Sequence, residues 1–291
     1  MRLSGSGAAG AASVLVSLAG LPQDAAAQEI SLPSYLKDRD GGIHTSLFGS
    51  YVRRGEWLVY PFFEYARDHN REYQPQELGT GPDVNFRGRF RGTAGQLFLA
   101  YGLSDRIAVE LEAAVVSQTL DKSAIDTFAT PARIDESGIA DIEAQLRARL
   151  MTESEHRPEI FGFVEVTFPS HTRQVLIADP DLDFKPGLGV TRGFSWGTMT
   201  ARVAGEYNRD GKNLDFGEVA VEYLKQVAAP VHLYLAVEGG EGGTMDEWDF
   251  ISGIRWRLGD HLSLKVDNAV GISSKATDWS PQFGVLFSFP P

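Results

Sequence analysis

From Glu56 onward the chain falls into runs of about ten to fourteen residues in which apolar positions alternate with polar or small ones, separated by turn residues. A period of two is the signature of a strand with one apolar and one wet face. Twelve such runs can be marked, from "EWLVYPFFEYAR" to "PQFGVLFSF". The stretch "IADIEAQLRARL" tests the reading. Ile139, Ile142, Leu146 and Leu150 suit one face of a helix, and its residues are good helix formers. Yet Ala140, Ile142, Ala144, Leu146, Ala148 and Leu150 alternate with charged or polar neighbours. A helix here would interrupt a series of strands whose connections work only if this run is the fourth of twelve. It is expected to be a strand.

Loop parity carries the architecture. The odd connections include the long polar segments "DHNREYQPQELGTGPDVN", "TLDKSAIDTFATPARIDES" and "PSHTRQVLIADPDL". The even ones are tight: "LSDR", "TESEHR", "SW", "VAA" and "GD". Short turns on the periplasmic side and long loops outside are the habit of bacterial outer-membrane barrels, whose strands need ~9–11 residues to cross. An even strand count also lets an antiparallel sheet close and lose its edges. The expected fold is therefore all-β: a single closed antiparallel transmembrane β-barrel of about twelve strands, with short periplasmic turns and long extracellular loops. Continuous apolar faces support it, as in Ile107, Val109, Leu111, Ala113 and Val115, or Val231, Leu233, Leu235 and Val237. So do aromatics at run ends, with Trp57, Tyr101, Phe194, Trp196, Tyr223, Trp248, Trp256 and Phe289 as candidate interfacial girdles. A soluble β-sandwich shares the alternation, but its strands are usually ~5–6 residues long.

The first 27 residues, with Arg2, an Ala/Val/Leu-rich stretch and a small-residue end at Ala25–Ala27, read as a secretory signal peptide. Residues 28–54 are then a periplasmic tail or a plug entering the lumen, and 55–291 the barrel. The absence of cysteine leaves stability to burial and backbone pairing. A net charge of −12 argues against nucleic acid as partner. The expected partners are outer-membrane lipid, a small-molecule solute and, during biogenesis, the barrel-assembly machinery; no cofactor is expected.

Four motifs resemble the transporter-like outer-membrane barrel family of the meta-pathway of phenol degradation: "YGLSDRIAVELEAAVV", "SGIADIEAQLRARL", "FVEVTFPS" and "KPGLGVTRGFSWG", with an aromatic carboxy-terminal strand, "FGVLFSFPP". The likeness runs from about Gly55 to the end. The family's Pro-Thr-Gly is "PSH" here and its Gly-x-Gly-Asp is "GIAD". What the resemblance implies is passage of small, often hydrophobic or aromatic, compounds across the outer membrane, with no catalytic residues.

If the apolar face meets lipid, the other face lines the lumen. That assigns Glu110, Glu112, Asp141, Glu143, Arg147, Arg149, Glu165, Arg202, Glu206, Glu218, Glu222, His232, Arg255, Arg257, Lys265 and Asp267 to the interior. Such residues either form a polar pathway that tunes selectivity or brace a filled, non-conducting barrel that serves as a structural or surface-interaction module. Counting from the periplasmic end predicts Glu110 near Arg149 and Glu112 near Arg147. The "GD" turn predicts a basic patch of Arg255, Lys265 and His232 low in the lumen, unfavourable unless a carboxylate intervenes.

Weaker candidates remain. Asp179, Asp181 and Asp183 alternate in an outside loop but lack an EF-hand's glycine and distal Glu, so a solvated acidic loop is the better reading. Ser170 beside His171 is the nearest approach to a hydrolase set, but adjacent residues on an extended chain point apart. The glycines of "GLGVTRG" mark a bend or a close backbone approach rather than a phosphate cradle.

Overall fold

A computed structural model describes residues 33–76, 78–170, 174, 176–177, 182–208, 213–240 and 247–291. The proposed signal peptide lies outside the described residues. A 3-10 turn at Ser34–Leu36 and a short hairpin of β1 (Ile43–His44) and β2 (Tyr51–Val52) come first. The wall follows: β3 (Trp57–Tyr73), β4 (Phe86–Gly102), β5 (Ile107–Asp121), β6 (Arg133–Ile139), β7 (Ile142–Met151), β8 (Glu159–Phe168), β9 (Asp183–Phe194), β10 (Gly197–Asn208), β11 (Asn213–Ala228), β12 (Val231–Gly239), β13 (Trp248–Arg257), β14 (Leu262–Gly271) and β15 (Ser280–Phe289).

Each wall strand pairs antiparallel with its neighbours, and β15 returns to pair with β3, so the sheet closes. The segments β6 and β7 both lie against β5, with Val115 opposite Ile139 and Glu112 opposite Glu143. They are two halves of one strand, broken at Ala140–Asp141, and the wall is a closed antiparallel barrel of 12 strands. "IADIEAQLRARL" is thus a strand with a kink near its start. Strands β3 to β6 run beyond the predicted segments, because the supposed loops contribute Asp68–Tyr73 and Arg133–Ser137 to the sheet.

Alternation sorts the side chains as the pattern demands. Leu146, Val164, Leu188, Val203, Leu235 and Val266 are exposed on the outer surface, the face that meets lipid. At the short-turn end, rings of Trp57 and Tyr101, of Phe194 and Trp196, and of Trp196 and Tyr223 lie 4.6, 4.7 and 5.8 Å apart. They form the predicted girdle. Inside, the apolar core exists because the amino-terminal segment completes it: Ile43 and Val52 pack on Leu58, Tyr60, Phe98 and Leu286, and Tyr51 and Phe48 on Leu224, Tyr234 and Ile251.

Candidate functional site

Residues 33–56 occupy the lumen at the short-turn end, and charge holds them there. Arg39 reaches Glu153 at 2.5 Å and Glu159 at 3.6 Å. Asp38 accepts from the Gln226 amide at 2.8 Å and faces the Lys225 ammonium at 3.4 Å. Asp40 bridges Arg255 and Arg257 at 2.5 and 2.7 Å. Burial alone would raise the Asp40 carboxyl, but Arg255 and then Arg257 outweigh it and hold its pKa down at about 2. Higher up, Arg147 donates to His44 Nδ1 at 3.4 Å, leaving the Nε2 proton directed at Glu222, 3.3 Å away. The Ser46 amide and hydroxyl donate to Glu110 at 3.0 and 2.5 Å. These contacts set residues 33–56 against the inward faces of the strands.

The wall is shaped to receive it. A Cβ at Gly193 would overlap the Tyr35 carbonyl, and one at Gly102 the Arg53 carbonyl. Within the same glycine-rich run, Gly187 and Gly189 let the rings of Phe163 and Phe161 lie flat on the wall. The guanidinium of Arg147 lies 5.0 Å over the Phe161 ring and 5.2 Å over the Phe163 ring. These glycines serve close approach, as the sequence suggested.

Above the plug's tip, Ser46–Phe48, a cavity of about 360 Å³ opens toward the long loops. Among the described residues, eight carboxylates and four cations line it. Ion pairs within this lining include Lys185 with Glu165 at 3.3 Å, Arg202 with Glu218 and with Glu238 at 3.3 Å, and Lys265 with Asp267 at 2.9 Å. Glu112 and Glu143 stand directly opposite each other across β5 and β7. Like charges in that position destabilise a sheet by up to ~1 kcal/mol.

The predicted interior residues therefore separate into levels. Arg149, His232, Arg255 and Arg257 meet the plug's lower part. Glu110, Arg147, Glu222, Lys265 and Asp267 surround its tip. Glu112, Glu143, Glu165, Arg202 and Glu218 belong to the cavity. Glu206 faces Asp215 on β11, and Asp141 instead caps the kink by accepting from the Ser170 amide at 2.8 Å.

Two pairings need correction. Glu110 lies opposite Gln145 rather than Arg149, and Arg147 opposite Ala108 rather than Glu112. Arg149 turns instead to Glu159 at 3.0 Å, while Arg147 reaches Glu110 diagonally at 3.6 Å. The equal-height assumption ignored the stagger that strand tilt imposes on neighbours in a barrel. The basic patch is present, with Lys265 and His232 each opposite Arg255, and the intervening carboxylate is Asp40 of the plug. Asp179, Asp181 and His171 lie outside the described residues, and Asp183 opens β9. The Ser170 hydroxyl donates to the Ile139 carbonyl at 2.8 Å.

Sequence reasoning missed every plug residue that makes these contacts, and also Glu64, Lys185, Glu238 and Asp249. The last four share the inward parity of their strands, so the alternation already marked them. Asp38, Arg39, Asp40 and His44 sit in a segment with no periodicity to betray a partner.

No family model matches the chain, and no curated relative matches it. Solved structures do. An outer-membrane channel from Pseudomonas putida F1 aligns over 84% of this chain and 99% of its own, with a TM-score of 0.59 at 13% identity. The KdgM porin in complex with disordered oligogalacturonate aligns over 79% of this chain and 99% of its own, with a TM-score of 0.50 at 9% identity. This is the fold of an outer-membrane β-barrel. At such identities the likeness concerns the fold, and the lumen's chemistry must be read from this chain's own residues.

Proposed function

We infer that the protein is an outer-membrane channel for small solutes, closed at rest by residues 33–56 and selective for solutes that carry positive charge. The observation that carries this reading is the carboxylate excess around the cavity above Ser46–Phe48. Fixed charge of one sign in a narrow low-dielectric passage concentrates the opposite sign and repels its own. Glu112 and Glu143, opposite each other across β5 and β7, supply two of those carboxylates. Phe48, Phe62 and Phe163 contribute rings to the same cavity, which suits a cation on a small aromatic body. A wholly apolar solute, the class suggested by the phenol-pathway resemblance, would have to strip water from these carboxylates to pass.

The density of ion pairs between plug and wall favours a second reading, a filled barrel that never conducts. Liposome swelling separates the two. Benzylammonium and benzoate, matched in size, are offered to vesicles holding the whole chain or a chain lacking residues 28–54. The channel reading expects little flux through the whole chain and benzylammonium entering the shortened one faster. Benzoate entering as fast or faster would refute the charge preference, and no flux through either chain would establish the filled barrel.

A further inference from the structure

Arg39, Arg147, Arg149, Arg202, Arg255 and Arg257 serve the lumen, but three arginines on the outer wall have no part in it. Along β3 the outward-facing residues run Pro61, Phe63, Tyr65, Arg67 toward the long-loop end, and along β4 they run Leu99, Leu97, Gly95, Thr93, Arg91, Arg89. In both strands the lipid-facing apolar stretch gives way to arginine at the same height. Arg67 and Arg91 are direct cross-strand partners, and Arg89 is two residues further along β4. All three are exposed. Directly opposed side chains leave the sheet ~4.5–5.5 Å apart, and alternate residues on one strand are ~7 Å apart. Three guanidinium groups are therefore within reach of a single tetrahedral anion.

Three other cations of that rim have carboxylate partners. Arg133 lies 2.9 Å from Asp135, Arg87 3.2 Å from Glu72 and Lys275 3.3 Å from Glu72. Among the described residues, none of the three outward arginines is in such an ion pair. The carboxylates nearby have other partners: Asp278 receives the His69 amide at 2.9 Å and pairs with its ring at 2.8 Å, and Asp121, opposite Arg89, lies 4.0 Å from Arg133. Arg67 and Arg91 thus face each other directly across β3 and β4, with Asp278 close enough to Arg67 to offset part of their repulsion.

Just below them, the ring of Tyr65 meets that of Trp279 edge-on with centroids 6.0 Å apart, and Trp279 is 44% exposed. Amphipathic rings settle at the level of lipid headgroups. The vertical order is then apolar wall, aromatic pair, arginine cluster, which matches acyl chain, headgroup carbohydrate and phosphate. Arginine's planar fork is well suited to phosphate oxygens.

We propose that Arg67, Arg91 and Arg89 form a surface site for the phosphate of an outer-leaflet glycolipid, with its acyl chains lying on the β3–β4 wall. The site goes beyond the channel reading and does not need the lumen to conduct. The test is native mass spectrometry of the full chain in neutral detergent, titrated with a diphosphorylated glucosamine lipid or its dephosphorylated form. The native chain is expected to hold the phosphorylated lipid and to lose about tenfold or more of the affinity in the variant Arg67→Gln/Arg91→Gln. Affinity for the dephosphorylated lipid should be weak and alike in both chains. Arg106→Gln, which removes an exposed charge at the opposite rim, should bind as the native chain does. Heat-modifiable migration confirms that each variant has closed its barrel. Equal affinity of native and doubly substituted chains would overturn the proposal, as would equal binding of the two lipids. So would displacement of the lipid by inorganic phosphate at equal concentration, because that would mark a free-anion site.

Discussion

The two halves of the lumen use charge in opposite ways. In the half near the short turns, cations and carboxylates come from different parts of the chain and meet in pairs: Arg39 with Glu153, Asp40 with Arg255, Asp38 with Lys225. In the half near the long loops, wall carboxylates outnumber wall cations, and Glu112 is set against Glu143. Pairing closes space and fixes a conformation, whereas surplus charge of one sign keeps space hydrated and discriminates among what enters. One strand can serve both ends. On β7, Arg149 and Arg147 face the plug and Glu143 faces the cavity, six and four residues away in a single alternating run.

The largest expected effect comes from removing one half of the comparison. Deleting residues 28–54 should turn a barrel of low conductance into one with large, stable steps in planar bilayers. Gly193→Val, which would drive a side chain into the Tyr35 carbonyl, should open the same path in part while leaving the chain at full length. Closed barrels of low conductance in both cases would mean that the wall, and not the plug, blocks the lumen.

A smaller effect is expected from one latch. Asp40→Asn leaves Arg255, nearly buried, without its carboxylate. Breaking such a pair costs about 3 kcal/mol, roughly a hundredfold in the ratio of seated to released plug. Single-channel records should show open probability rising by that order. Acid should act on the same group. Because the folded pKa of Asp40 is lowered from 3.8 to about 2, its contribution to plug seating is complete above about pH 4 and is lost as pH falls through about 2. Open probability of the native chain should therefore climb across that window. The Asp40→Asn chain should lack this component, and an equal climb in both would assign the acid response to other carboxylates.

These contrasts also explain what could be read from sequence. Period-two alternation and loop parity are local, so strand count, closure and the lipid-facing set were legible, and Ala140–Leu150 could be placed against its own helix propensity. The inward face was legible by parity alone, which is why Lys185 and Glu238 could have joined Glu165 and Arg202. Height within the barrel was not. The offset of Glu110 from Arg149 depends on the stagger of whole strands, a property of the closed sheet that no single run encodes. The plug was legible only as an open choice. Asp40 announces itself through what the patch around Arg255 and Lys265 lacks, and that deficit was visible before its remedy.

The smallest predicted effect sharpens the comparison from the cavity side. Glu112→Gln with Glu143→Gln removes a like-charge opposition and leaves two amides able to hydrogen-bond across β5 and β7. If the upper half is organised for selectivity and not for packing, the barrel should become slightly more stable, by up to ~1 kcal/mol, and its unfolding in urea should shift upward. In the chain lacking residues 28–54, reversal potentials under a salt gradient should show cation preference falling a few-fold with unitary conductance little changed. A loss of stability would mean that the two carboxylates hold a proton or a cation between them and brace the wall. An unchanged reversal potential would move the selectivity to Glu238, Glu218 and Arg202 on the opposite side of the cavity, where pairing with Arg202 already limits the surplus.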